Sequence, residues 1–205
     1  LTSTVANALF GKLSDIYGRK RLFQIAIITF LVGSVGCGVA QSMLSLIISR
    51  GVQGIGGGGL MAIAFVIIGD VVPPRERGRY VGLITSVFAV GSVVGPLMGG
   101  FFVEQLSWRW IFFINIPIGL VALIITSRAL RMPVLRLDRK VDYLGAALLT
   151  GSVTCLILFL SWSSKEYGWG SAISVVLAIA AALQAVGFVQ WEKRASEPIM
   201  PLHLF

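Results

Sequence analysis

The chain has 205 residues, 56% of them hydrophobic and 13% charged, with a mean hydropathy of +0.88. A soluble domain of this size needs far more polar surface, so the composition excludes one and indicates an all-α chain embedded in a membrane. The net charge of +8 comes from basic residues set in short clusters between apolar runs, which argues for membrane topology and against a nucleic-acid surface.

Taken in order, Leu1 to Phe10 reads as the second half of a membrane helix, as if the chain were a fragment opening inside an apolar segment. Gly11 to Arg21 reads as a loop with Lys12, Arg19, Lys20 and Arg21 against Asp15. Leu22 to Gln41 has no charge and, at ~1.5 Å per helical residue, is long enough for a ~30 Å hydrocarbon core. Ser42 and Met43 turn the chain into Leu44 to Val72, the one long apolar run with an arginine, Arg50, inside it.

Tandem prolines open the next connection, Pro73 to Arg79, where three arginines outweigh Glu76. Tyr80 to Val103 is the following span, and Glu104 to Trp110 balances Glu104 against Arg109 beside two interface-type tryptophans. Ile111 to Ser127 spans again, and a third basic connection runs to Asp142. Tyr143 to Trp162 and Ser171 to Trp191 complete the set, joined by a charge-balanced turn and followed by a mixed segment from Glu192. The expected inventory is six complete spans and one half span.

Connections therefore alternate between basic and neutral, and the positive-inside rule puts the basic ones in the cytoplasm. A missed or invented span would set two basic loops on opposite sides, so the alternation also checks the count. Cys37 and Cys155 lie far apart in apolar runs with no metal-ligand spacing, and read as buried free thiols. No catalytic residue, metal or cofactor is implied, and the chain does not read as an enzyme.

In the first connection Gly11 would admit a neighbouring helix, Gly18 permits a tight reversal, and Asp15 and Arg19 set opposite charges four residues apart. Gly11, Leu13, Asp15, Gly18, Arg19 and Lys20 resemble the G-x-L-x-D-x-x-G-R-K-R signature between the second and third helices of the major facilitator superfamily. Ile16 departs from it where the family often has a basic residue. The resemblance implies a partial helical bundle of that superfamily and a cytoplasmic gate centred on Asp15.

Arg50, Gln53 and Gly54 share one helix face, continued by Gly57 and Met61. An arginine about six residues, ~9 Å, inside the helix can snorkel to the interface, or it can face protein. Leu46, Arg50, Gln53, Gly54 and Gly56 are similar to the family's L-x-x-x-R-x-x-Q-G-x-G pattern in the fourth helix. That likeness implies an arginine coupled to protons, holding down the pKa of a carboxylate expected on a preceding first helix. The glycines from Gly54 to Gly59 also fit G-x-G-x-x-G, but no strand or soluble βαβ unit surrounds them, so a dinucleotide site is set aside.

In the fifth span Gly91, Gly95 and Gly99 recur every four residues, making a groove, and Pro96 removes a backbone hydrogen bond at its middle. With Gly100 they resemble the G-x-x-x-G-P-x-x-G-G signature of the antiporter branches, implying a bendable helix packed on the other half of the protein. Asp70, at the inner end of its helix, can pair with Arg19 or Arg75, although a carboxylate at the membrane edge is more often simply solvated.

The two spans directly after a short basic loop resemble the fourteen-span drug:proton antiporter branch, in which extra helices separate two six-helix halves. The chain would then hold part of the first half in 1–128, a cytoplasmic loop in 129–142, the extra helices in 143–191 and a linker in 192–205. The resemblance implies secondary active transport at the plasma (inner) membrane, exporting amphipathic, often cationic drugs in exchange for protons by alternating access. Its implied partners are a small-molecule substrate, protons and the bilayer, with no nucleic acid. The alternative on the same fold is a proton-independent exporter of a lipid or metabolite.

Overall fold

A computed structural model describes residues 2–130 and 142–194. Those residues form α1 (Thr2–Tyr17), α2 (Arg19–Gly38), α3 (Met43–Val71), α4 (Arg77–Gln105), α5 (Trp110–Phe113), α6 (Asn115–Ala129), α7 (Tyr143–Lys165) and α8 (Ala172–Glu192), with no strand among them. Among the described residues six stretches are long and apolar enough to cross a bilayer: α2, α3, α4, α5 with α6, α7 and α8. They coincide with the six spans expected from hydropathy. The chain is an integral, multi-pass, helical membrane protein.

Two boundaries differ from the sequence reading. The segment from Gly11, expected as a loop, is helical as far as Tyr17, and the reversal is confined to Gly18, whose φ of 91° favours glycine. Nothing between Gly11 and Tyr17 is a strong helix breaker, and the Ser14 hydroxyl donates back to the Gly11 carbonyl at 2.6 Å. Charge marked the membrane edge there rather than the helix end. The span from Ile111 is interrupted at Ile114, between α5 and α6. Pro117 has no N–H to give the Phe113 carbonyl, so the helical ladder lapses at that turn.

α3 lies between α1 and α2 and packs on both. Small residues make this possible. A Cβ on Gly33 would run into the backbone of Gln53, one on Gly56 into the backbone of Phe30, and one on Gly58 into the backbone of Ser3. In a bilayer, where lipid is as apolar as leucine, such close backbone approach is what holds helices together. Near the Gly18 reversal, Leu22, Ala26 and Ile63 form a buried cluster packed by Phe10, Leu13, Phe23, Leu60 and Ile67.

α4 contains no buried residue, and the α7–α8 hairpin meets the rest through α1. That hairpin is joined by Ser152 donating to the Ala181 carbonyl at 3.0 Å and by Ser163 donating to Ser174 at 2.7 Å. Large apolar side chains such as Val87 and Leu97 remain exposed, as expected of surfaces that meet lipid or other membrane helices.

Cross-links between connections sort the helix ends. The start of α2 meets the end of α6, where Lys20 Nζ donates to the Ser127 carbonyl at 2.6 Å and Gln24 Nε2 to Ser127 Oγ at 2.9 Å. It also meets the end of α3 through Arg19 and Asp70. At the opposite end Arg109 reaches the turn after α2, donating to the Ala40 carbonyl at 3.0 Å. The first basic connection thus shares one end with the end of α3 and the end of α6, from which the other two basic connections start, and the second and fourth, neutral ones share the other.

Most of the basic connection at 129–142 lies outside the described residues, from 131 to 141, as does 195–205 of the terminal segment. Glu192, read as part of a polar tail, is instead a buried residue at the end of α8. Beside it, the neighbouring Trp191 indole donates to Asp142 Oδ1 at 2.8 Å, so the hairpin closes on itself there.

Candidate functional site

Near the neutral end, α1, α2, α3, α5 and α6 surround a cavity of ≈ 310 Å³ lined by Ser3, Phe30, Arg50, Gln53, Gly54, Gly57, Ile111, Phe112 and Asn115. Arg50, Gln53, Gly54 and Gly57 line it from one face of α3, as helical spacing predicts. Met61, the next residue on that face, is not part of the lining.

Arg50 is exposed along the cavity but does not reach for the nearer helix end. Its Nη1 donates to Gln53 Oε1 at 2.8 Å, one turn deeper in the span, and its guanidinium lies 5.8 Å from the centre of the Phe112 ring. This is the inward orientation of the two that the sequence allowed. Gln53 is buried, at 5% exposure, and its Nε2 donates to Ser34 Oγ at 2.6 Å. Asn115 Nδ2 lies 3.5 Å from the same oxygen, and Cys37 Sγ is 4.0 Å from Gln53 Oε1. Three helices, α2, α3 and α6, thereby meet around one buried amide.

Chemically, the guanidinium offers only donors, and two amides and the Ser3 hydroxyl line the partly apolar pocket with it. Such a site holds a carboxylate or another acceptor by charge-assisted hydrogen bonds and supplies two phenyl rings to an amphipathic molecule. Sequence reasoning missed Ser34 and Asn115. Their signal was weak but present: polar side chains within otherwise apolar spans, facing the motif arginine only once α2, α3 and α6 are folded.

The second constellation lies at the basic end. Arg19 is in contact with two carboxylates, Asp15 one turn back at 3.0 Å and Asp70 at the far end of α3. Asp70 is therefore paired with Arg19, one of the two partners the sequence offered, while remaining exposed. Its helix end is brought to the Gly18 turn because α3 runs antiparallel to α2. Gly18 makes the reversal, Leu13 packs beneath it, and Lys20 holds the end of α6. Gly11 does not admit a neighbour, because a Cβ there would meet nothing within 4 Å among the described residues.

Asp70 ends α3 with Arg77 close by, whose Nη2 and Nε donate to the Gly69 and Val72 carbonyls at 2.5 and 3.1 Å. Cations at a helix C-terminus complement its dipole. The two cysteines are free, but only Cys37 is fully buried, Cys155 being half-buried.

The glycine stripe is open. Positions 91, 95, 99 and 100 would each admit a Cβ without contact within 4 Å among the described residues, and α4 runs unbroken through Pro96 from Arg77 to Gln105.

A bundle of membrane-crossing helices with an arginine lining a cavity between them, and a charge cluster at the opposite end, is the architecture of a polytopic membrane protein. A family model described as the Major Facilitator Superfamily matches residues 1–195, and the chain belongs to that superfamily. It is 43% identical over 197 residues to "Multidrug resistance protein 3" of Bacillus subtilis, an alignment covering 96% of this chain and 38% of that protein. It is 38% identical over 205 residues to "Multidrug transporter protein MdtP" of Bacillus subtilis and 40% identical over 213 residues to "MFS-type efflux pump LUC4" of a Fusarium species. Those two alignments cover all of this chain, which spans 38% of the length of each of these relatives.

Proposed function

We propose that this chain is part of a secondary active transporter that exports amphipathic, often cationic drug-like molecules in exchange for protons by alternating access. The observation that carries the reading is Arg50, turned onto Gln53 at an open cavity lined by helices of this chain. A charge within an apolar span is costly, and one that lines a cavity between membrane helices marks a path for something charged or polar. The names of the relatives, multidrug and efflux transporters, support the substrate class.

In this reading Arg50, with Gln53 and Gly54 on its face, stabilises the ionised form of a carboxylate that binds the transported proton, lowering its pKa until substrate or proton exchange. Gly11, Leu13, Asp15, Gly18, Arg19 and Lys20 with Asp70 form the cytoplasmic gate, which holds while the opposite side is open and parts when the protein turns inward. Gly91, Gly95, Pro96, Gly99 and Gly100 give α4 a close-packing, bendable face toward the other half, limiting leak. Residues 143–191 are the two additional helices of a fourteen-span transporter, between a first half ending near 128 and a linker beginning at 192. The protein sits in the plasma membrane with its basic connections cytoplasmic.

The test is full-length protein in proteoliposomes with an imposed pH gradient. Arg50→Ala should abolish gradient-driven transport of a dye such as ethidium while the protein stays folded. Parental transport by that variant would overturn the coupling role, and absence of transport by the parent protein under any gradient would overturn the antiport.

A further inference from the structure

Gln53 carries an ambidentate side chain: its Oε1 accepts and its Nε2 donates. Arg50 has only donors, so it can be held only by the Oε1 side. Arg50 thus selects the Oε1 side, and the Nε2 side is held by what lies behind it. Behind it stands Ser34, fully buried on α2, whose Oγ accepts from Nε2 at 2.6 Å and lies 3.5 Å from Asn115 Nδ2 of α6. The hydroxyl thus turns its two lone pairs to two amide donors. On the other side of Gln53, the Cys37 thiol lies 4.0 Å from Oε1, a weak donor on the edge that must accept.

Ser34 is held in this place by close packing, because its neighbour Gly33 lets the α3 backbone at Gln53 touch α2. With Gln53 at 5% exposure and Ser34 at 0%, water cannot easily replace the hydroxyl. We infer that Ser34 is a positioning residue for Arg50, acting through Gln53: by accepting from Nε2 it anchors the amide from behind while Oε1 holds the guanidinium, and so it holds the guanidinium in the cavity. This rests on the proton-coupling reading of Arg50 and extends it to a residue on another helix. Without the Ser34 oxygen, the buried Nε2 gains a partner by no rotation of the amide, and a flip sets donor against donor at Arg50.

The experiment compares two modes of the reconstituted full-length transporter: ethidium uptake driven by a pH gradient, and ethidium–ethidium counterflow without one. Ser34→Ala should lower gradient-driven uptake about tenfold, the factor associated with one buried donor left unpaired, while counterflow stays within about twofold. Ser34→Cys, of similar shape but a weaker acceptor, should fall between serine and alanine. In a Gln53→Ala background Ser34→Ala should add nothing. A loss shared equally by both modes, no loss at all, or an effect undiminished in the Gln53→Ala background would overturn the proposal.

Failure of the coupling reading is separately visible as parental gradient-driven uptake by Arg50→Ala. In that event the positioning role is decided by melting temperatures of Ser34→Ala, Gln53→Ala and the double variant in detergent. Losses that add overturn it, and a double variant no less stable than Gln53→Ala alone sustains it.

Discussion

Arg19 holds two acidic partners at once, Asp15 on its own side of the Gly18 turn and Asp70 from the end of α3. Its side chain is 24% exposed and that of Asp70 36%, so water screens the attraction and the pair contributes at most about 1 kcal/mol to stability. Asp70→Asn should therefore leave the melting temperature of the full-length protein within about 3 °C of the parent. If the cluster is the proposed gate, the same variant should change gradient-driven transport several-fold, and a cysteine placed in the Arg50 cavity should become more reactive from the cytoplasmic side. A large stability loss with unchanged transport would make the cluster a structural clamp. The sequence offered both partners for Asp70, and only the antiparallel return of α3 chose Arg19.

Among the helices, α3 and α4 are both glycine-rich, yet the structure treats their glycines differently. On α3, Gly56 and Gly58 sit where another backbone passes, as does Gly33 on α2, so added side chains must push whole helices apart. Gly56→Val should cost about 1–3 kcal/mol or prevent folding, read as a lower melting temperature and a lower yield of monodisperse protein. On α4, Gly95 has no neighbour within 4 Å among the described residues. Gly95→Leu should leave the packing of α1, α2 and α3 intact. If the stripe seals against the other half, it should instead speed the substrate-free collapse of an imposed pH gradient in proteoliposomes. Unchanged leak would remove the sealing role. Spacing alone could not separate these two uses of glycine, because i to i+4 repeats describe a groove without saying what fills it.

For the molecule as a whole, the charge alternation predicts which ends lie together, and the contacts agree with it. Lys20 reaches the end of α6, Arg19 the end of α3, and Arg109 the turn after α2. Labelling should show the same sorting relative to the membrane. In a variant lacking Cys37 and Cys155, cysteines at Gln41 and Gln105 should react with a membrane-impermeant maleimide in intact cells. One at Arg75 should react only after permeabilisation. The reverse at any of the three would break the assigned orientation.

By itself the sequence determined the six spans, their order, the basic and neutral alternation and the superfamily, because each is written in local hydropathy, charge and motif spacing. It also placed Gln53 and Gly54 on the face of Arg50, since helical periodicity is local too. It misjudged the Gly11 to Tyr17 helix, where charge was taken for a helix end, and left the partner of Asp70 open. It was silent on Ser34 and Asn115. Those were decided only by tertiary packing: glycines that let α1 and α2 close on α3, and an antiparallel return that brings residues far apart in the chain to within a hydrogen bond. A buried polar group must find its partner among whatever helices surround it, and which helices those are is not a local property.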